Sequence, residues 1–328
     1  MKGGRAGLVG LLMAFVSLVA AGCGPRRVAD GRSLYACVRR ASVFVLVDGR
    51  HTGSGFFADA EGLVVTAAHM VKGHTEHIEV VSPVVGRRKA QRIALDFGHD
   101  LALLRVPKRD EPYPSLPIAR RLPAAGAEVL LFGDPVFRHH LLLAGRVAVQ
   151  ESTYSYNQTL RCYTRAFYIA GTSPDGTSGG CWVDRRGRVV GVQSGYLNTA
   201  KAPAGIAIAC PPDAIRRLVA TRRSPPSTTL GTQLDELWTQ PKGFIARFPK
   251  GTVGVVTVVP HKDGPAAKAN LNKESLILAI DGKPIAYVDE LMAIIRSKKP
   301  GDHVTLQVMA PDSGARREAK VALARVAE

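Results

Sequence analysis

The chain has no Cys-x-x-Cys pair, so the usual spacing of a structural zinc site is missing. It shows no collagen-like repetition and no bias toward a disordered composition, so its 328 residues are expected to fold, and they exceed what one core usually supports. Two domains are expected. Acidic residues are scarce, 27 against 44 Lys and Arg, a formal charge of +17. No nucleic-acid-binding motif accompanies that charge, and nucleic acid is not expected as a partner. Long apolar runs are missing apart from one, Gly7 to Val19, which is short for a membrane span.

That run follows Lys2 and Arg5 and leads into Ala20-Ala21-Gly22-Cys23, the pattern of a secretory signal with a small-residue cleavage site. Leu18 to Cys23 resembles the bacterial lipobox, with Ala20 where Leu is more usual. The resemblance implies a signal peptide over residues 1–22, lipidation of Cys23, a tether over 23–34 and a membrane-anchored protein facing the periplasm. Gly24 after the cysteine favours the outer membrane. Residues 229–328 hold 14 basic and 11 acidic side chains, so +3 of the charge lies there, and with Lys2 and Arg5 set aside +12 remains in residues 23–228. This excess reads as a diffuse Arg-rich surface, with attraction to anionic lipid or acidic substrates as the alternative. Four cysteines remain, Cys37, Cys162, Cys181 and Cys210, and in an exported protein they permit three pairings that the sequence cannot rank.

From Ala41 to Pro211 short apolar strands alternate with Gly, Pro and Asp turns, a pattern of antiparallel sandwiches and barrels. Val43 to Val47, Gly62 to Thr66, Leu101 to Val106, Val129 to Phe132 and Val189 to Gln193 are the clearest. Pro212 to Ala220 reads as a closing helix, with Asp213 in its first turn. Residues 222–228, rich in Ser, Thr and Pro, form a linker. Beyond it come strands at Val253 to Val259, Ser275 to Ile280 and His303 to Met309, helices at Pro265 to Asn270 and Val288 to Ser297, and a turn at Asp281-Gly282.

A serine hydroxyl becomes a useful nucleophile when an imidazole takes its proton and a carboxylate holds the imidazole's tautomer. The sequence offers these groups in Thr66-Ala67-Ala68-His69, in His99-Asp100-Leu101-Ala102-Leu103-Leu104 and in Gly176-Thr177-Ser178-Gly179-Gly180. The order His, Asp, Ser is that of the chymotrypsin fold. By contrast, His74-Thr75-Glu76-His77 and His139-His140 read as solvated side chains, and neither a metal nor a cofactor is expected.

With these three motifs and Gly53-Ser54-Gly55-Phe56, residues 35–221 resemble trypsin-like serine proteases, and among them the HtrA (Deg) family. The resemblance implies a mainly β fold, a chymotrypsin-like double β-barrel. Ser178 would be the nucleophile, His69 the general base and acid, and Asp100 the residue orienting His69. The backbone amides of Gly176 and Ser178 would form the oxyanion hole. Thr172 would lie at the base of the primary pocket, with Gln193, Ser194, Gly195 and Tyr196 along its wall. Without a carboxylate at Thr172, cleavage after basic residues is disfavoured. Cys181, three residues past Ser178, reads as a half-disulfide or a buried small hydrophobe and not as a catalytic thiol.

Residues 229–326 resemble the PDZ domains of the same proteases, through Gly254 to Pro260, Pro265-Ala266-Ala267-Lys268-Ala269, Ile277 to Ile285 and Asp289-Glu290-Leu291. A small α/β domain follows from that likeness. It would bind an extended chain end at Leu230, Gly231 and Thr232, against a helical wall carrying Leu291 and Ile295. Asn270 replaces a usual Gly and is expected to keep its turn, because Asn tolerates a left-handed backbone. The whole implies an ATP-independent endopeptidase acting on misfolded or signal-bearing polypeptides, with exposed C-termini recognised by the PDZ domain. A homotrimer built through N-terminal residues of the protease domain is also implied. The alternative is a catalytically silent or chaperone-like protein that binds peptides on the same scaffold.

Overall fold

The structure, a computed structural model, describes residues 31–136, 138–198 and 203–326. The signal peptide and Cys23 lie outside the described residues.

The described chain begins with α1 (Gly31–Ala41), which presents Leu34, Val38 and Ala41 at helical spacing to the protease core and buries all three. The expected tether boundary therefore falls inside a helix. Seven strands follow: β1 (Ser42–Val47), β2 (Arg50–Phe57), β3 (Leu63–Thr66), β4 (Ile78–Ser82), β5 (Gly86–Lys89), β6 (Gln91–Asp96) and β7 (Leu101–Arg105). They form one antiparallel sheet in the order β5-β4-β1-β2-β3-β7-β6, with the short helix α2 (Ala68–Val71) after β3. In β1 the side chains alternate, and Val43, Val45 and Val47 fill the interior.

The second sheet holds β8 (Glu128–Gly133), β9 (Leu141–Val147), β10 (Thr153–Asn157), β11 (Cys162–Gly171), β12 (Cys181–Val183), β13 (Val189–Asn198) and β14 (Pro203–Cys210). Its order is β10-β11-β14-β13-β12-β8-β9, and a further pairing of β9 with β11 closes a six-stranded ring. Gly145 and Gly171 stand opposite each other at the closure, where a Cβ on Gly145 would come within 2.9 Å of the Trp182 ring. Closure leaves β10 outside the ring, paired only with the first half of β11. α3 (Pro212–Thr221) then packs Ala214, Ile215 and Leu218 into the core shared by both barrels.

A two-residue strand, β15 (Thr228–Thr229), opens the second domain and pairs with β22 (Ala324–Arg325) near its end. Between them lie β16 (Thr232–Glu236), α4 (Lys242–Ile245), β17 (Val255–Pro260), α5 (Pro265–Lys268), β18 (Leu276–Ile280), β19 (Lys283–Pro284), α6 (Val288–Ser297), β20 (His303–Met309) and β21 (Arg316–Ala322). The sheet runs β16-β17-β18-β20-β21, so β16 is an edge strand. Asp281 and Gly282 both have positive φ, 47° and 76°, as a two-residue hairpin turn of the primed type requires. Asn270 takes the left-handed conformation expected of it, φ 55°.

Candidate active site

Strand pairing brings the first two site residues together. β3 runs antiparallel to β7 with Thr66 opposite Ala102, so His69, just past β3, meets Asp100, just before β7. The Ala68 N–H bonds the Asp100 carbonyl at 3.2 Å, and the His69 N–H bonds Asp100 Oδ1 at 2.9 Å. Asp100 adopts a left-handed φ of 53°, a conformation in which Asp is several-fold enriched, and is fully buried. Its Oδ2 accepts His69 Nδ1 at 2.7 Å. Burial opposes the charged imidazolium, but the Asp100 charge and hydrogen bond outweigh it and hold the His69 pKa above its ordinary value.

Ser178 lies in the loop between β11 and β12, in the second barrel, and Ser54 ties that loop to the first. The Ser54 N–H bonds the Ser178 carbonyl at 2.8 Å, and its hydroxyl donates to the Gly176 carbonyl at 2.9 Å while accepting the Asp134 N–H at 2.9 Å. Thr66 Oγ1 donates to the Ser54 carbonyl at 2.7 Å. Gly179, with φ 83°, sits against this cluster, and an added Cβ would collide with the Ser54 carbonyl oxygen and the Thr66 hydroxyl.

Pro174 to Thr177 form a turn closed by the Thr177 N–H on the Pro174 carbonyl at 3.2 Å, with Gly176 at φ 92°. The Asp175 carbonyl accepts the Val136 N–H at 3.1 Å, so across the trans peptide the Gly176 N–H faces the other way. Among the described residues, neither the Gly176 nor the Ser178 N–H has an acceptor.

His69, Ser178, Gly176, Asp175, Ser194 and Tyr196 line one cavity of about 510 Å³. Within it the Ser178 hydroxyl makes no hydrogen bond to His69. Of the three expected triad residues, Asp100 and His69 are joined, and Ser178 lines the same cavity with no side-chain bond to His69. Such bonds are often long in unliganded enzymes and tighten with substrate.

The expected pocket is redrawn in three places. Thr172 is exposed and is not among the cavity walls. Gln193 is buried and turned away from the cavity, its Oε1 accepting the Trp182 indole N–H at 2.7 Å. Ser194 does face the cavity, yet its hydroxyl is committed to Asp100 Oδ2 at 2.5 Å. Gly195 and Tyr196 line the wall, and the Tyr196 hydroxyl meets Asp175 Oδ1 at 2.9 Å. A carboxylate therefore does stand in the cavity, at Asp175 and not at Thr172.

Cys162, Cys181 and Cys210 are buried free thiols, so none of the three permitted pairings forms, and of its two expected readings Cys181 is the buried small hydrophobe. Burial pushes Cys162 up to about 11 and Cys181 to about 12, which leaves inert small hydrophobes. His140 is not a solvated side chain. Its backbone N–H bonds the buried Asp134 at 2.7 Å and its Nδ1 lies 3.1 Å from the same oxygen.

In the second domain Leu230, Thr232, Leu291 and Ile295 are buried. Gly231 takes φ 68°, and its N–H is held by Thr229 Oγ1 at 2.9 Å. The protease domain reaches the β16 strand of this domain through one side chain. Tyr163 of the protease domain belongs to the same buried cluster as Leu234, Leu291 and Ile295, and its hydroxyl accepts the Leu234 N–H at 2.9 Å and donates to the Leu234 carbonyl at 2.7 Å. Sequence reasoning missed Ser54's role, Asn157 and Tyr163. The one signal for the last two was the run of tyrosines at 154, 156 and 163.

Fold and site together define a trypsin-like peptidase core carrying one PDZ domain. Residues 53–192 match the trypsin-like peptidase domain family and residues 229–323 the PDZ domain family. The chain matches the DegP and HtrA serine proteases. It is 30% identical over 285 residues to serine protease HTRA1 of Xenopus laevis, covering 79% of this chain and 56% of that protein. It is 28% identical over 285 residues to a probable periplasmic serine endoprotease DegP-like of Pseudomonas fulva, covering 84% of this chain and 56% of that one. The chain thus spans little more than half the length of these relatives. In fold it resembles the HtrA-type protease AlgW with decapeptide, with a TM-score of 0.60, 20% identity, and coverage of 89% and 98% of the two chains. The serine endoprotease from Yersinia pestis superposes with a TM-score of 0.56, 21% identity, and coverage of 89% and 97%.

Proposed function

We propose that this chain is an ATP-independent serine endopeptidase of the cell envelope. Ser178 Oγ attacks the scissile carbonyl, His69 takes its proton and returns it to the leaving amine, and Asp100 holds the His69 tautomer and stabilises the imidazolium. The N–H groups of Gly176 and Ser178 receive the oxyanion, where one lost donor costs roughly 100-fold or more in rate. The observation that carries this reading is the 2.7 Å bond between a fully buried Asp100 and a His69 that lines one cavity with Ser178 and Gly176. Substrates are misfolded or signal-bearing polypeptides, with C-termini taken at the PDZ groove. The resemblances to the lipobox and to the protease family add a lipid anchor at Cys23, at about 0.8 kcal/mol per buried methylene, an outer-membrane location facing the periplasm and a homotrimer.

A second reading, a peptide-binding protein without catalysis, is favoured by the missing Ser178–His69 bond. Incubation of an unfolded protein substrate without ATP separates the two. Cleavage by the parent chain and none by Ser178→Ala is expected, and equal results from both chains would overturn the enzyme.

A further inference from the structure

Three side chains donate to one oxygen of Asp100: His69 Nδ1 at 2.7 Å, Ser194 Oγ at 2.5 Å and Asn157 Nδ2 at 3.2 Å. His69 and Ser194 belong to the two barrels. Asn157 ends β10, the strand left outside the ring. Its amide has one orientation, since Oδ1 accepts the Leu160 N–H at 2.9 Å and Nδ2 is turned to Asp100.

The hairpin carrying Asn157 rests on the PDZ domain at both of its strands. From β10, the Thr153 hydroxyl and the Tyr154 N–H, the latter at 2.8 Å, bond Asp289 of α6. From β11, Tyr163 bonds both backbone groups of Leu234, and Arg296 of α6 bonds the Tyr163 carbonyl. Register sets Tyr156 opposite Tyr163 and Asn157 opposite Cys162, so Asn157 lies one pair from the Tyr163 seat.

We propose that Asn157 is a positioning residue for Asp100, held in place by the seat of Tyr163 on β16. The proposal rests on the reading of Ser178, His69 and Asp100 as a catalytic triad. A buried carboxylate that loses one of its donors is left with unmet hydrogen-bonding capacity and more freedom to turn, which loosens its hold on the His69 tautomer. Asn157 acts through Asp100 and takes no proton itself.

The test follows His69 by NMR, independently of turnover, with its signals assigned against His69→Gln. The full chain is compared with Asn157→Ala, the nearly isosteric Asn157→Asp, Tyr163→Phe and the Asn157→Ala/Tyr163→Phe double variant. The low-field Nδ1–H signal of a His69 bonded to Asp100 is expected in the parent and broadened by exchange in Asn157→Ala. In Asn157→Asp a second carboxylate faces the pair, and the His69 midpoint is expected to rise by roughly half a pH unit or more. Tyr163→Phe is expected to weaken the signal in the parent background and to add nothing in Asn157→Ala, the mark of two residues acting in series. In parallel, kcat on a peptide substrate is expected to fall about tenfold in Asn157→Ala with KM within about twofold.

Unchanged His69 signals in both Asn157 variants overturn the positioning role, and a Tyr163→Phe chain that matches the parent overturns the seat. If the parent cleaves nothing while the His69 signals follow the expected pattern, the protease reading fails and the positioning role stands.

Discussion

The Tyr163 hydroxyl bridges the N–H and the carbonyl of Leu234 at 2.9 and 2.7 Å, so a protease side chain occupies the backbone groups that an added strand would use on β16. The phenol is buried, and burial holds its pKa well above the usual range, so the bridge stays neutral.

Tyr163→Phe keeps the ring and leaves both Leu234 groups without their partner, at a cost of about 1–3 kcal/mol. Calorimetry is expected to show the PDZ transition lowered, by roughly 4–8 °C per kcal/mol for a domain of this size. Tyr163→Ala frees both backbone groups of Leu234, and a peptide with an apolar C-terminus is expected to bind about tenfold more tightly by titration calorimetry, because no internal occupant must leave first.

Gly179→Ala tests the loop that carries Ser178, the proposed nucleophile. The backbone there has φ 83°, and the new Cβ runs into Ser54 and Thr66, which the fold cannot move without breaking the tie between the barrels. Peptide hydrolysis is expected to drop by roughly 100-fold or more, because the amides proposed to receive the oxyanion shift with the loop.

Under the proposed mechanism, acid silences hydrolysis through His69. The base is active when neutral, and its pKa is raised above 6.5, so the acid limb of kcat/KM is expected to have its midpoint above that value. The same shift makes the imidazolium a stabilising group below its unfolded pKa, a contribution lost as pH rises through the folded value. Asp100→Asn removes the carboxylate that raises this pKa, so the His69 midpoint by NMR is expected to fall.

Cys162, Cys181 and Cys210 are expected to resist a thiol reagent at neutral pH in the folded protein and to react fast once it is unfolded. A colorimetric thiol count before and after denaturant checks this. Their buried positions, not bonding to one another, keep them silent.

What could be read from the sequence was local. β20 and α6 have the boundaries that their apolar periodicity indicated, and the Asp281-Gly282 turn followed from two residues that tolerate positive φ. His69 and Asp100 were legible because each sits beside its own apolar strand. α1 escaped notice because it buries a stripe of just three apolar residues, Leu34, Val38 and Ala41. Gln193 was misplaced because its side chain turns to the Trp182 indole on the neighbouring strand, a pairing that its own local sequence does not encode. The Tyr163–Leu234 bridge spans 71 positions, and no local pattern encodes a contact between domains.

Proteolysis by this chain requires His69 to activate Ser178 as a nucleophile. Labelling with a fluorophosphonate, read by mass spectrometry of the intact chain and of its peptides, tests it most directly. One phosphonyl group on Ser178 is predicted, absent in Ser178→Ala and strongly slowed in His69→Ala. No label on Ser178 in the parent chain across the pH range above the His69 midpoint would contradict it.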